Sequence, residues 1–268
     1  MTTKLKHPAK YSSTIMDCIA RTVELYAWEQ IVLDSSRPLR ILDPMAGVGG
    51  INELQNLIPY SLDIKGIELE PEWAEQGGMI CGDARNMGSL LPDLWVPDMI
   101  VVSVPYANRM ADKYLPDKYR RMTYANALGR DLTLGSAASM QWGRQYQKTM
   151  AEVWEACANM LPPNGMLILN CKNHIRASVI IPVTKWHVYT LSNFGFEQID
   201  NWFKVSVPHM RYGQNSELRV EFEDVVVMRK CEQRTEFEEI EYPTTLPLIA
   251  VDRRVMKENW KNDGRHHN

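Results

Sequence analysis

The chain has 268 residues, 45% of them hydrophobic and 24% charged. That length suits one large domain, and the balance excludes a chain disordered along most of its length. Thirty Lys and Arg stand against 33 Asp and Glu, a formal charge of -3, which argues against a protein that coats nucleic acid through bulk positive charge. The five cysteines (Cys18, Cys81, Cys157, Cys171, Cys231) are dispersed, with no CxxC and no Cys/His cluster. Neither a metal nor a disulfide framework is therefore expected, and a reducing, cytoplasmic setting fits. Residues 1–10 lack the apolar core of a signal peptide. No apolar run approaches the ~20 residues that span a bilayer, so no membrane partner is expected.

In chain order, Ser12 or Ser13 can cap a helix over 12–33, where Ile15, Ile19, Val23, Tyr26 and Ala27 recur at helical spacing. Residues 40–43 form a short apolar run that stops at Pro44 and a glycine-rich turn, the pattern of a buried strand. Further strand-like runs cover 62–67, 79–81 and 98–102, with a helical stretch over 72–77 after Pro71. The interval 107–145 is polar, carries Gly129, Gly135 and Gly143, and is too long for an ordinary connection. A helix over 144–161 presents Met150, Val153, Trp154, Cys157, Ala158 and Leu161 on one face and stops at Pro162, Pro163 and Gly165. Residues 166–169 are the next strand, and Pro182 opens a helix to about Phe194.

Two β-rich stretches, 196–207 and 218–228, follow. Only a short turn separates them, so they should pair antiparallel. The alternation predicts an α/β fold with a doubly wound, mostly parallel sheet and a C-terminal antiparallel hairpin strand. The expected division is a domain over 1–230, with 107–145 as an inserted lid or recognition region, and an appendage over 231–268. Within the appendage, Leu246 to Trp260 reads as a short docked helix.

The turn reads Asp43-Pro44-Met45-Ala46-Gly47-Val48-Gly49-Gly50. Small residues at a strand's carboxyl end let a ligand approach the backbone. A dinucleotide fingerprint would need a third glycine where Asn52 stands, and a Walker loop needs Gly-Lys-Ser/Thr. Glu68 ends the second strand, where a carboxylate can bind ribose hydroxyls. Asp83 ends the third, where one can accept from an adenine amino group.

Together, Asp43-Pro44-x-x-Gly47-x-Gly49, Glu68 and Asp83 resemble the S-adenosylmethionine site of the Rossmann-like methyltransferases. The Asp-Pro opening resembles those that methylate exocyclic amino groups of nucleic-acid bases, the DNA cytosine N4 and adenine N6 type. The resemblance implies S-adenosyl-L-methionine as cofactor. It assigns Gly47 and Gly49 to the methionine moiety, Glu68 to the ribose and Asp83 to the adenine, with Asp43, Pro44 and Ala46 also at the cofactor. His7-Pro8-Ala9-Lys10-Tyr11 resembles the segment that closes over the methionine end, with Lys10 on its carboxylate.

The fourth strand runs into Ser103-Val104-Pro105-Tyr106. This resembles the amino-methyltransferase motif in which Asp, Asn or Ser precedes Pro-Pro and an aromatic residue. The resemblance makes these four the catalytic segment. A base amino group is a poor nucleophile because its lone pair is delocalised into the ring. Acceptors on its two hydrogens, here the Ser103 hydroxyl and the Val104 carbonyl, free that lone pair, while Tyr106 stacks on a flipped base. The family has proline where Val104 stands, so the rigidity of that proline is expected to be missing. Serine at the first position leans toward cytosine N4.

Residues 109–131 carry six basic residues (Arg109, Lys113, Lys118, Arg120, Arg121, Arg130) against three acidic ones, a local +3, with Tyr114, Tyr119 and Tyr124 interleaved and Trp142 beyond. Cations contact phosphates and aromatics stack on bases. Lys172, His174 and Arg211 are further candidates for nucleic-acid contact. Residues 232–241 sum to -4 and should face away from phosphate. The expected activity is thus methyl transfer to a DNA base amino group, cytosine N4 ahead of adenine N6, by a monomer or homodimer. RNA bases, a protein glutamine, and a cofactor-binding but catalytically silent protein are the alternatives.

Overall fold

The computed structural model describes residues 7, 11–33, 37–107, 114, 123–176, 179–199, 202–206, 220–232 and 249–250, with backbone only for 28–33 and 249–250. In chain order the first half holds α1 (Ser13–Leu33), β1 (Leu39–Asp43), α2 (Leu54–Leu57), β2 (Leu62–Glu68), α3 (Pro71–Gly77), β3 (Ile80–Cys81), α4 (Met87–Leu90) and β4 (Met99–Ser103). The second half holds α5 (Tyr124–Leu128), α6 (Arg144–Met160), β5 (Met166–Cys171), β6 (His174–Arg176), β7 (Val179–Ile181), α7 (Val183–Asn193), β8 (Phe196–Gln198), β9 (Phe203–Ser206), β10 (Phe222–Lys230) and β11 (Ile249–Ala250).

The main sheet runs β3-β2-β1-β4-β5-β10-β8, with β9 beside β10. Strands β1 to β5 pair in parallel. Strand β10 is antiparallel to β5, with Val226 opposite Leu169. This is the doubly wound, Rossmann-like arrangement that the alternation of strands and helices predicts. The expected antiparallel pairing of the last two stretches is present as β9 on β10. Strand β8 takes the other end of β10, so the two short strands share one long neighbour.

The sheet is buried on both faces because its central strands are apolar at successive positions. Side chains alternate across it. Leu42, Ile100, Val102, Leu167, Leu169, Val226 and Met228 pack toward α6 and α7. Ile41, Met99, Val101, Met166, Ile168, Val225 and Val227 pack toward α1. At the sheet edge where β1 and β4 begin, Arg37 grips Asp98 with two 2.7 Å bonds, and the Arg40 amide donates to the same carboxylate. The opposite edge, where the parallel strands end, is left to the loops.

Two differences from the sequence reading stand out. A second sheet, β11-β7-β6, follows β5 directly; its strands are too short to show a period. Residues 249–250 are extended against β7, where a helix over 246–260 is expected. The pairing to a neighbour strand overrides the local pattern there, and the rest of that stretch lies outside the described residues.

Candidate active site

The turn after β1 is built on carboxylates. Asp43 is fully buried; its Oδ1 accepts from the Met45 amide at 3.0 Å and its Oδ2 from the Tyr11 hydroxyl at 3.1 Å. Burial, with the nearby Glu68 charge, outweighs those bonds and pushes Asp43 up to about 7. Gly47 is left-handed at φ 56°, and its amide donates to Glu68 at 2.8 Å. The other Glu68 oxygen accepts from the Glu70 amide at 2.8 Å. Burial lifts Glu68 to about 6.

Gly49, at φ 75°, does a different job from the one expected. A Cβ there would stand 2.8 Å from the Gly77 carbonyl oxygen and 2.9 Å from the Met79 methyl. It lies behind the cleft wall and lets the turn press against the end of α3. Asp83 also differs. Its carboxylate accepts from the Arg85 amide at 2.9 Å and from the Arg85 guanidinium at 2.6–3.0 Å. Arg85 holds it below the usual carboxylate range. An adenine amino group would share Asp83 with this cation.

Strand β4 delivers the tetrapeptide. The Asn170 amide nitrogen donates to Ser103 Oγ at 3.1 Å and to Glu223 Oε2 at 3.3 Å. The Tyr106 hydroxyl donates to that same Glu223 oxygen at 3.0 Å. Since a carboxylate only accepts, Asn170 must turn its nitrogen toward Glu223, which settles the amide's orientation. Burial, then the Glu223 charge, raises Tyr106 well above the ordinary tyrosine value, so its hydroxyl stays a donor. Ala107 follows in the left-handed region at φ 52°, a backbone state that costs an alanine energy and marks a constrained turn.

Val104 is buried, and its amide continues the β4–β5 ladder to the Asn170 carbonyl at 3.3 Å. Proline has no N–H and cannot make this bond. The expected loss of rigidity is thus offset by a rung that the more usual residue forgoes.

A cleft of about 1020 Å³ at the carboxyl edge of the sheet gathers the predicted groups: Tyr11, Pro44, Ala46, Gly47, Glu68, Asp83, the Ser103–Tyr106 segment, Lys172 and His174 all line it. Burial, then the Arg176 charge, pushes the His174 imidazole down to about 4.

Three expected nucleic-acid contacts have other employment. Arg130 bonds both oxygens of Glu72, at 2.8 and 2.5 Å, and reaches Glu70 at 2.8 Å. Trp142 packs edge-on against Trp186 at 5.7 Å and beside Tyr146 at 5.8 Å. Tyr124 is buried against Trp73 and His7. Lys10, Arg109, Lys113, Lys118, Tyr119, Arg120, Arg121 and Arg211 lie outside the described residues.

Sequence reasoning missed Asn170, Glu223 and Glu70. Asn170 and Glu223 have one signal each: an asparagine ending an apolar strand, and an acid opening one. Glu70, 1% exposed, takes the Thr133 amide and hydroxyl at 2.9 Å each, pinning the 130–136 loop over the cleft.

No family model and no curated protein sequence matches the chain. Solved structures similar to it include the precorrin-6y C5,15-methyltransferase from Geobacter metallireducens GS-15, at 15% identity over 77% of this chain and 89% of that one, with a TM-score of 0.41. Another is the N-methyltransferase NodS from Bradyrhizobium japonicum WM9 in complex with S-adenosyl-L-homocysteine, at 13%, 77%, 86% and 0.40. A third is the magnesium protoporphyrin IX methyltransferase from Synechocystis PCC 6803 with bound S-adenosylmethionine, at 11%, 83%, 86% and 0.42.

Proposed function

We propose that the protein is an S-adenosylmethionine-dependent methyltransferase acting on the exocyclic amino group of a DNA base, cytosine N4 ahead of adenine N6. The observation that carries this is the acidic cradle. Asp43 and Glu68 both sit above their ordinary values, to about 7 and about 6. Burial strips them of water, the Glu68 charge raises Asp43 further, and the Glu70 charge raises Glu68 further. A cation in the cleft beside Glu68 relieves its cost, and that of Asp43 beneath the cleft wall through space, whereas a diphosphate would be repelled. The donor set therefore fits a sulfonium that also carries ribose hydroxyls for Glu68, and it disfavours NAD or ATP.

When bound, S-adenosylmethionine supplies an electrophilic methyl on that sulfonium. The chain's own residues then handle the acceptor. Ser103 Oγ takes one hydrogen from Asn170 and keeps acceptor capacity for an amino hydrogen. Tyr106, its hydroxyl tied to Glu223, offers a ring of fixed position for stacking. With the Ser103 hydroxyl and the Val104 carbonyl as acceptors for its two hydrogens, the amino nitrogen would turn its lone pair into the cleft, and one amino proton would leave to solvent. Positioning and charge placement carry the rate.

The test is transfer of labelled methyl from the cofactor in the presence of duplex DNA, RNA and protein in competition. Label in DNA, lost when Ser103 is alanine, supports the reading. Label in RNA or protein instead replaces the substrate. Cofactor binding by calorimetry with no transfer to any of them leaves a silent binding protein.

A further inference from the structure

One buried chain of hydrogen bonds ends on the catalytic segment. Helix α6 carries Tyr146 and Trp154, two turns apart, and α7 carries His187; all three are fully buried. The Trp154 Nε1 donates to His187 Nδ1 at 3.0 Å. His187 Nε2 and the Tyr146 hydroxyl lie 2.9 Å apart, and that hydroxyl donates to the Pro105 carbonyl at 2.5 Å.

The direction of the chain is forced. An indole nitrogen can only donate, so Nδ1 must hold a lone pair. The proton of the neutral ring is then on Nε2 and points at the Tyr146 oxygen, which frees the phenolic hydrogen for Pro105. A charged ring would set Nδ1–H against the indole N–H. Burial excludes that state, holding His187 down to about 3. Ring packing fixes the imidazole from three sides, with Trp186 at 5.0 Å, Trp154 at 5.4 Å and Tyr146 at 5.9 Å.

The location matters as much as the chain. The last described rung between β4 and β5 is Val104 to Asn170. Pro105 has no N–H to donate, and its carbonyl lies one residue past that rung. Ser103 lies two residues before Pro105, and Tyr106 directly after it. We infer that Trp154, His187 and Tyr146 form a positioning relay that takes over where the sheet ladder stops and holds the Ser103–Tyr106 segment against the cleft. This rests on the reading of that segment as catalytic. None of the three touches substrate; they act through the Pro105 carbonyl.

The experiment compares Tyr146→Phe, His187→Leu, His187→Gln and the Tyr146→Phe/His187→Leu double variant of the full chain. Two readouts are taken: steady-state methyl transfer, and hydrogen exchange of the peptide spanning residues 99–107. Tyr146→Phe keeps the ring and its packing while deleting one hydroxyl. It should lower kcat by between about 10- and 100-fold, as a displaced reacting geometry does, with KM for the cofactor unchanged. Exchange at Val104 and Tyr106 should accelerate. His187→Leu should match it, and the double variant should be no worse than either single, since members of one chain are not additive. His187→Gln, whose amide can both accept from Trp154 and donate to Tyr146, should recover most of the loss.

Unchanged exchange and kcat in Tyr146→Phe overturn the relay. So do additive losses in the double variant, which mark a purely structural role. Should the wild type transfer no methyl at all, the proposed activity fails, and exchange alone still decides the relay.

Discussion

Tyr106 and Glu223 stand 117 positions apart in the chain, and the tyrosine hydroxyl donates to the carboxylate at 3.0 Å. Glu223 opens the antiparallel strand β10, so the topology of the sheet brings a carboxylate to the Ser103–Tyr106 segment. The aromatic ring is thereby held at its far end as well as through its backbone. Tyr106→Phe keeps the ring and loses the tether, and kcat should fall by about 3- to 10-fold, the worth of one hydrogen bond of roughly 1 kcal/mol. Tyr106→Ala, which removes the stacking face too, should cost about 100-fold or more. Equal losses in the two variants, measured by steady-state kinetics, would refute the separation of tether from ring.

Val104 offers a second check. Val104→Pro restores the residue of the more usual motif but deletes the amide that donates to the Asn170 carbonyl. Proline stabilises only where no hydrogen bond is lost. The substitution should therefore cost about 1 kcal/mol, a fall of roughly 2–4 °C in Tm by calorimetry, with no gain in rate. A higher Tm would show that the rung contributes nothing.

The acidic cradle makes pH the third. The folded value of Asp43, about 7, lies above its unfolded value near 4. Between those limits the folded chain holds a proton the unfolded chain has lost, so stability falls as pH rises from about 4 to about 7 and then levels. Glu68 adds the same sign up to about 6. In Asp43→Asn the decline in Tm between pH 5 and pH 8 should be shallower than in the wild type. A cationic cofactor favours the ionised forms. Its affinity, read by titration calorimetry, should therefore rise with pH across this window as protons are released. An affinity that falls with pH would contradict the cradle.

Arg130 is the fourth. Its guanidinium neutralises Glu70, which is almost wholly buried, and bonds Glu72. Arg130→Ala leaves a buried carboxylate with only Thr133 for company. The loss should be about 1–3 kcal/mol, or roughly 3–10 °C in Tm. The slope of DNA affinity against salt should stay unchanged, since no phosphate contact is removed. A slope smaller by about 1 would return Arg130 to the nucleic-acid surface.

These contrasts show which features a sequence exposes. The β1 turn, Glu68 and the parallel strands themselves were legible, because apolar runs ending in Pro, Gly or an acid are local signals. The hairpin of β6 and β7 was not, since three-residue strands carry no period. Asn170, Glu223 and His187 were hidden for another reason. Each acquires its role from a partner at least 33 positions away, and alone each reads as a stray polar residue in an apolar element. Arg130 misled in the opposite way: its charge was visible, whereas the buried Glu70 that claims it was not.

The central claim is methyl transfer to a DNA amino group at Ser103. Its most direct test is mass spectrometry of nucleosides from the DNA of cells expressing the wild type or Ser103→Ala. The account predicts N4-methyldeoxycytidine with the wild type, ahead of any N6-methyldeoxyadenosine, reduced by about 100-fold or more in the variant. DNA free of both methylated nucleosides, or equal amounts from the two proteins, would contradict it.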